Sequence, residues 1–287
     1  MYLHKYEDNN VNILAKKVIL FTNARNETHI KEWAAHHLLI GFDKIIIFDH
    51  KSIVPLKTVF SGFDKRVLSI DVSKMENPIK MPLMNVALKI ANKLNADWFI
   101  YLDADEFIIL NNQLQNIKQL LNLHNNADSL AVNWLMFGSN YLKEEPVGLM
   151  IDSYTKSSHE LGELVKCFIR PKKAINAINP HYYNMKNPER CFGTNNKKIK
   201  PNGPINKNNV KYSQSSAYIA HYVYQSEESF KNRKILLPTD DTGTYRNINV
   251  QHIHELYNDI ENTFPKDKYG KKIQEFLDAV NKPLINR

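Results

Sequence analysis

The sequence predicts an α/β fold with a mostly parallel central sheet flanked by helices. Strand-length apolar runs alternate with helix-length segments through the N-terminal third, and the polar residues able to do chemistry recur where those runs end. Lys17 to Thr22 is dominated by aliphatic and β-branched side chains and reads as the first strand. The polar turn Asn23 to Glu27 follows, then a helix over Ile30 to Leu39 that Gly41 terminates. Lys44 to Phe48 is the second strand, with Asp49 at its carboxyl end and the polar loop His50 to Ser52 beyond. Val67 to Ile70 is the third strand, Met84 to Leu94 a helix with apolar positions at helical spacing, and Trp98 to Leu102 the fourth strand. Alternation at these lengths implies right-handed crossovers between parallel strands, with ligands bound outside the strands' carboxyl ends. The Asn23 turn, Asp49 and the acidic run Asp103-Ala104-Asp105-Glu106 all fall at that edge.

The second half is less regular. Ser129 to Trp134, Gly148 to Tyr154 and Val165 to Ile169 read as strands, Asn179 to Asn209 as a long polar loop, and Glu227 to Leu236 and Lys271 to Asn281 as helices. No repeat or proline- and serine-rich linker divides the chain. One domain over 1–287 is expected, with halves at about 15–110 and about 111–250 and a helical segment over about 251–287.

Apolar residues make up 43% of the 287 residues and charged residues 24%, values of a soluble globular protein rather than a disordered chain. No apolar run approaches the ~18 to 20 residues that cross a bilayer. Met1 to Val11 carries charges and two asparagines, without an apolar stretch before a cleavage site, so the expected location is cytoplasmic. Cys167 and Cys191 have neither disulfide-framework nor metal-ligand spacing and read as thiols in a reducing compartment. The net charge of +8 invites a nucleic-acid reading. The lysines are scattered, however, with their densest run at Asn195 to Lys200, and no arginine-aromatic RNA-binding module is present, so nucleic acid is not the expected partner.

Asp103, Asp105 and Glu106 are delivered together where an apolar strand reaches the surface. Carboxylates this close repel one another and lose hydration unless positive charge sits between them, most simply a divalent cation. Oxygen ligands at alternate positions suit Mg²⁺ or Mn²⁺, ions held by one or two protein carboxylates with water and phosphate completing the shell. The same residues could also cap a following helix or face water.

Asn23-Ala24-Arg25-Asn26-Glu27, Glu32-Trp33 with His36-His37, Gly41-Phe42-Asp43, Asp49, Asp103 to Phe107, Asn133-Trp134 with Phe137-Gly138-Ser139, and Ala220-His221-Tyr222 together resemble the family 2-like glycosyltransferases. The resemblance spans roughly residues 17–235, in family order. It implies the GT-A fold, a Rossmann-like sheet, and metal-dependent, inverting transfer of a sugar from a nucleoside diphosphate donor, UDP-sugar by default. The acceptor would be a hydroxyl of a glycan or another molecule. A basic surface suits such an anionic donor, or a membrane rim.

Carried over residue by residue, the resemblance implies nucleotide contacts for Asn23, Arg25, Glu27, Asp49 and Asp103. It implies a metal site at Asp103, Asp105 and His221, with Asp105 binding the metal directly and Asp103 meeting the ribose or a metal-bound water, and acceptor-side roles for Trp134, Phe137, Ser139 and His181. Lys166 and Arg170 also match family positions. Relatives carry a basic residue shortly after the histidine; Gln225 stands here, with Lys231, Arg233 and Lys234 following, which leaves open the cation that meets the diphosphate. Glu160, Glu163, Asp240 and Asp241 are general-base candidates by location alone.

Plainer readings stand beside these. Arg25 and Glu27 could form a surface ion pair worth ~0 to 1 kcal/mol, Trp134 and Phe137 could be core, and His221 could be a hydrogen-bonded core residue. His252-Ile253-His254-Glu255 lacks the H-E-x-x-H spacing and reads as a surface feature. A haloacid-dehalogenase-like phosphohydrolase also places D-x-D after an apolar strand, but generally with Thr or Val where Phe107 stands and without three strands before it. A non-catalytic polyanion-binding protein with a transferase-like fold would instead show steeply salt-dependent RNA binding.

Overall fold

The computed structural model describes residues 15–199 and 211–281. Met1 to Val11, Lys200 of the basic run and the remainder of the expected long loop to Asn209 lie outside the described residues. The elements in chain order are β1 (Val18–Ala24), α1 (Ile30–Leu39), β2 (Lys44–Asp49), α2 (Leu56–Val59), β3 (Val67–Asp71), α3 (Lys80–Lys93), β4 (Trp98–Tyr101), β5 (Glu106–Leu110) and α4 (Ile117–Leu123). They continue with β6 (Ser129–Met136), α5 (Met150–Ser153), β7 (Lys156–Ser157), β8 (Val165–Ile169), β9 (Ala174–Asn179), β10 (Tyr182–Met185), β11 (Cys191–Gly193) and β12 (Ala217–His221). Last come α6 (Glu227–Phe230), β13 (Ile260–Glu261) and α7 (Lys271–Asn281).

One mixed sheet runs through both halves in the order β3-β2-β1-β4-β8-β6-β12-β5, with β11 beside β6. The pairings β1–β2, β1–β4, β2–β3, β6–β11 and β6–β12 are parallel, whereas β4–β8, β6–β8 and β5–β12 are antiparallel. The continuous apolar runs of β1 and β2 follow from burial of both faces. Val18, Leu20, Ile45 and Ile47 enter one core with Trp33 and Leu38 of α1. Ile19, Phe21, Ile46 and Phe48 enter the other with Leu83, Met84, Ala87 and Leu88 of α3. Successive strand residues point to opposite faces, so neither face has room for a polar alternate.

Helix α1 also closes the open edge of β5. The Ile108 carbonyl accepts from His36 Nε2 at 2.8 Å, and the Glu106 carbonyl accepts from Trp33 Nε1 at 2.8 Å. The Ile108 N–H donates to His37 Nε2 at 3.4 Å while His37 Nδ1 donates to the Trp33 carbonyl. Burial keeps both imidazoles neutral, pushing His36 down to about 4 and His37 well below its usual value.

The structure departs from expectation in four places. Gly148 to Tyr154 is not a strand: Met150 and Ile151 N–H groups donate to the two Glu32 carboxylate oxygens at 2.7 and 2.9 Å, which stabilises the start of the short helix α5. Strands β10 and β11 lie inside the expected long loop. Strand β5 begins directly at Glu106, because the tight Asp103–Ala104–Asp105 turn returns the chain antiparallel to β12. The expected helix over Glu227 to Leu236 is four residues of α-helix, capped by the Ser226 side chain, followed by one π-helical turn over Lys231–Ile235.

Candidate functional site

At the carboxyl end of β1, Asn23 Oδ1 accepts from Tyr101 OH at 2.9 Å and from Lys80 Nζ at 3.3 Å, and its amide nitrogen donates to Asp240 Oδ2. Lys80, the first residue of α3, is only 4% exposed and also pairs with Asp103. The second Asp103 oxygen lies 3.1 Å from Nζ of Lys166, a β8 residue that is 1% exposed. Glu106 completes this bank: Oε2 accepts from the Asp103 N–H at 2.9 Å, and Oε1 lies 3.7 Å from Lys166 Nζ.

Asp105, 1% exposed, is neutralised from the other side. Its Oδ2 lies 2.9 Å from Arg233 Nη2 and 2.8 Å from Lys234 Nζ, both carried by the π turn. Arg233 Nε donates to Glu27 at 2.8 Å, so the partner of Glu27 is Arg233 rather than Arg25. The wider π turn is what lets two consecutive side chains reach one carboxylate.

Electrostatics divide the three acids. Burial pushes the Asp103 carboxyl up, and Lys166 and Lys80 outweigh it, leaving it well below the usual range. Burial likewise opposes ionisation of Asp105, but Lys234, His221 and Arg233 together hold it well below that range. Glu106 is pushed up to about 7, because burial prevails there over Lys166.

These banks open onto a cavity of about 520 Å³. Among the expected residues Asn23, Arg25, Glu27, Asp103, Trp134, Glu163, His181, His221, Asp240 and Asp241 line it, with Asp105 directly behind Arg233 and Lys234. The Trp134 ring lies between His221, 4.3 Å away, and His181, 5.2 Å away. His181 Nδ1 donates to the Val165 carbonyl at 2.9 Å, and burial with the nearby Lys166 lowers its imidazole to about 4.

Four expected residues lie elsewhere. Asp49 accepts from the Ser52 and Leu56 N–H groups at 3.3 and 2.7 Å and braces the loop after β2. Phe137 is core, packed 4.7 Å from the Tyr222 ring, and Glu160 is exposed outside the cavity lining. Ser139 is fully buried, with Oγ 2.7 Å from His254 Nδ1, whose Nε2 lies 2.9 Å from Glu227. That buried hydroxyl is a tether between β6 and α6, and His254 is part of it rather than a surface feature.

Sequence reasoning missed Lys80. A lysine one turn before an apolar helix carries no signal of its own, and only the docking of α3 brings it to Asp103.

The donor atoms present fit a divalent cation at one place. Asp105 Oδ1 is buried without a hydrogen-bond partner, and His221 Nε2 lies 3.5 Å from it. The carboxylate oxygen suits Mn²⁺ or Mg²⁺, and the softer imidazole nitrogen is met more readily by Mn²⁺ than by Mg²⁺. Both Asp103 oxygens are ion-paired to lysines. Among the described residues no group of three or more His, Cys, Asp or Glu side chains could hold a metal, so any further ligands would be water or phosphate oxygens. Among the same residues no helix is long and apolar enough to cross a membrane.

The model of glycosyltransferase family 92 matches residues 19–264. A search of curated proteins found no match. Among solved structures, S. aureus TarS aligns at 12% identity with a TM-score of 0.34, covering 54% of this chain and 28% of TarS. A 4-diphosphocytidyl-2C-methyl-D-erythritol synthase aligns at 14% identity with a TM-score of 0.35, covering 54% of this chain and 76% of that one. A CMP:2-keto-3-deoxy-manno-octonic acid synthetase complexed with CTP aligns at 12% identity with a TM-score of 0.30, covering 44% and 54%. The aligned part of this chain therefore spans little more than a quarter of the length of TarS.

Proposed function

This chain belongs to glycosyltransferase family 92, and from that premise we propose that it moves a sugar from a nucleoside diphosphate donor, UDP-linked by default, to an acceptor hydroxyl with inversion. The observation that carries this reading is the bank of cations at Asp105. Arg233 and Lys234 share that one carboxylate, and Arg233 Nη1 is buried with no partner. An unpaired guanidinium nitrogen beside a cavity is matched by phosphate oxygens.

In this reading Arg233 and Lys234 hold the diphosphate, and their charge stabilises the negative charge that develops as it leaves. A Mn²⁺ or Mg²⁺ ion held by Asp105 and His221 would add Lewis-acid stabilisation of the same charge. The indole of Trp134, with His181 beside it, walls the side where sugar and acceptor meet. Glu163, exposed at the cavity, is the general base we assign, taking the acceptor's proton as its oxygen attacks the anomeric carbon. Glu160 lies outside the lining, and Asp240 is held on Asn23.

The test is a panel of UDP-, GDP- and CDP-sugars with and without Mn²⁺, following nucleoside diphosphate release and thermal shift. Release of one nucleotide, accompanied by a raised melting temperature, supports the reading. Neither binding nor release across the panel would discard it.

A further inference from the structure

We infer that Asp240, rather than Asp49, is the carboxylate that reads the donor's nucleoside, accepting from an N–H of its base. This rests on the transferase reading above. Asp49 stands at the end of β2, but Ser52 and Leu56 occupy both its oxygens and it does not line the cavity. Asp240 does line it, arriving from a turn far along the chain.

That turn is built to deliver one side chain. The Asp240 carbonyl accepts from the Ile79 and Lys80 N–H groups, both at 2.9 Å, and Oδ2 accepts from Asn23. The Thr239 N–H donates to the Thr244 carbonyl and the Gly243 N–H to the Thr239 carbonyl, each at 2.9 Å. Gly243 sits at φ +72°, where a Cβ would also press within 3.2 Å of the Asn77 side chain. Oδ1 of Asp240 makes no hydrogen bond among the described residues.

Charge decides what that free oxygen can meet. Arg233, Lys234 and His221 gather at Asp105, which matches a diphosphate. At Asn23, Lys80 already donates to Asp103 and Asn23, so Asp240 would repel a phosphate there. A carboxylate only accepts, so it is matched by an N–H of the base, whether the ring N–H of uracil or guanine or the exocyclic amine of cytosine.

Calorimetry with UDP, GDP, CDP and inorganic pyrophosphate, each with Mn²⁺, on the wild type, D240A and D240N tests this. The wild type should bind its preferred nucleotide more tightly than inorganic pyrophosphate. D240A should lose roughly 10- to 100-fold in affinity for the preferred nucleotide and leave pyrophosphate unchanged. D240N can keep a side-chain hydrogen bond at Asn23, and by turning an amide donor toward the base it should lose nucleotide affinity while leaving pyrophosphate unchanged, even if D240A folds poorly. Equal losses for nucleotide and pyrophosphate would make Asp240 a mere brace of its turn. Gains for both would make it an internal anion blocking the phosphate site, and no change would leave it without a binding role; each of the three overturns the inference. A wild type that binds none of the nucleotides removes the transferase reading itself.

Discussion

Asp103 and Asp105 stand two residues apart in one turn, yet different parts of the molecule neutralise them. The Asp103 counter-charges, Lys80 and Lys166, are buried at the start of α3 and within β8, and move only if the sheet moves. Those of Asp105, Arg233 and Lys234, sit on one π turn behind a four-residue helix whose buried apolar side chain is Phe230. Neighbouring acids can thus serve different ends. Both banks are largely buried, with Asp103 the more exposed of the two acids; the first is fixed by lysines of α3 and the sheet, whereas the second rests on a short turn at the cavity.

The sharpest way to break this comparison is Lys166→Met. It leaves Asp103 short of a partner and Glu106 without its cation, and should lower unfolding stability by about 3–5 kcal/mol in a denaturant titration. A loss no larger than that of Lys234→Met would erase the distinction between the banks. Next is Arg233→Ala, expected to reduce nucleotide-sugar turnover by roughly 10²- to 10³-fold with a much smaller effect on melting. A variant that unfolds while the residual folded fraction keeps its turnover would reverse the assignment.

Acid should weaken the framework through α1. The His36 imidazole titrates near 6.5 when unfolded and near 4 when folded, so the unfolded chain takes up the proton first as pH falls. Its stabilisation is complete above pH 6.5 and is lost progressively down to 4, with His37 acting in the same direction. Melting temperature should fall across that window, and His36→Gln should flatten the fall. The smallest effect belongs to Glu32→Ala, which removes the acceptor for the first amides of α5 and should cost about 1–2 kcal/mol. Hydrogen exchange should locate that loss in 149–154, away from both aspartates.

Much of the N-terminal half was legible because its signals are local. The runs of β1, β2 and β4 are continuous where both faces are buried, whereas β3 at the sheet edge leaves Leu68 and Ile70 exposed, and Asn23, Asp103 and Asp105 follow from position at strand ends. In the second half the deciding partners are remote. Residues 148–154 have strand-like composition, but Glu32 from α1 makes them helical. Asp49 satisfied every positional criterion for a nucleotide contact, and the amides of its own following loop claimed it. Ser139 and Phe137 follow an expected strand and face inward, because the β6–β12 pairing turns that end of the strand into the core.

By itself the chain's order of residues determined an α/β sheet and an acidic turn after the fourth strand, since strand periodicity and strand-end chemistry are written in near neighbours. Tertiary structure alone decided which cation meets which acid, that Lys80 and Lys166 belong to Asp103, that Arg233 and Lys234 belong to Asp105, and that Asp240 arrives beside Asn23. Electrostatic pairing depends on distances of a few ångströms between residues many positions apart, and packing of the sheet against α3 and the π turn sets those distances.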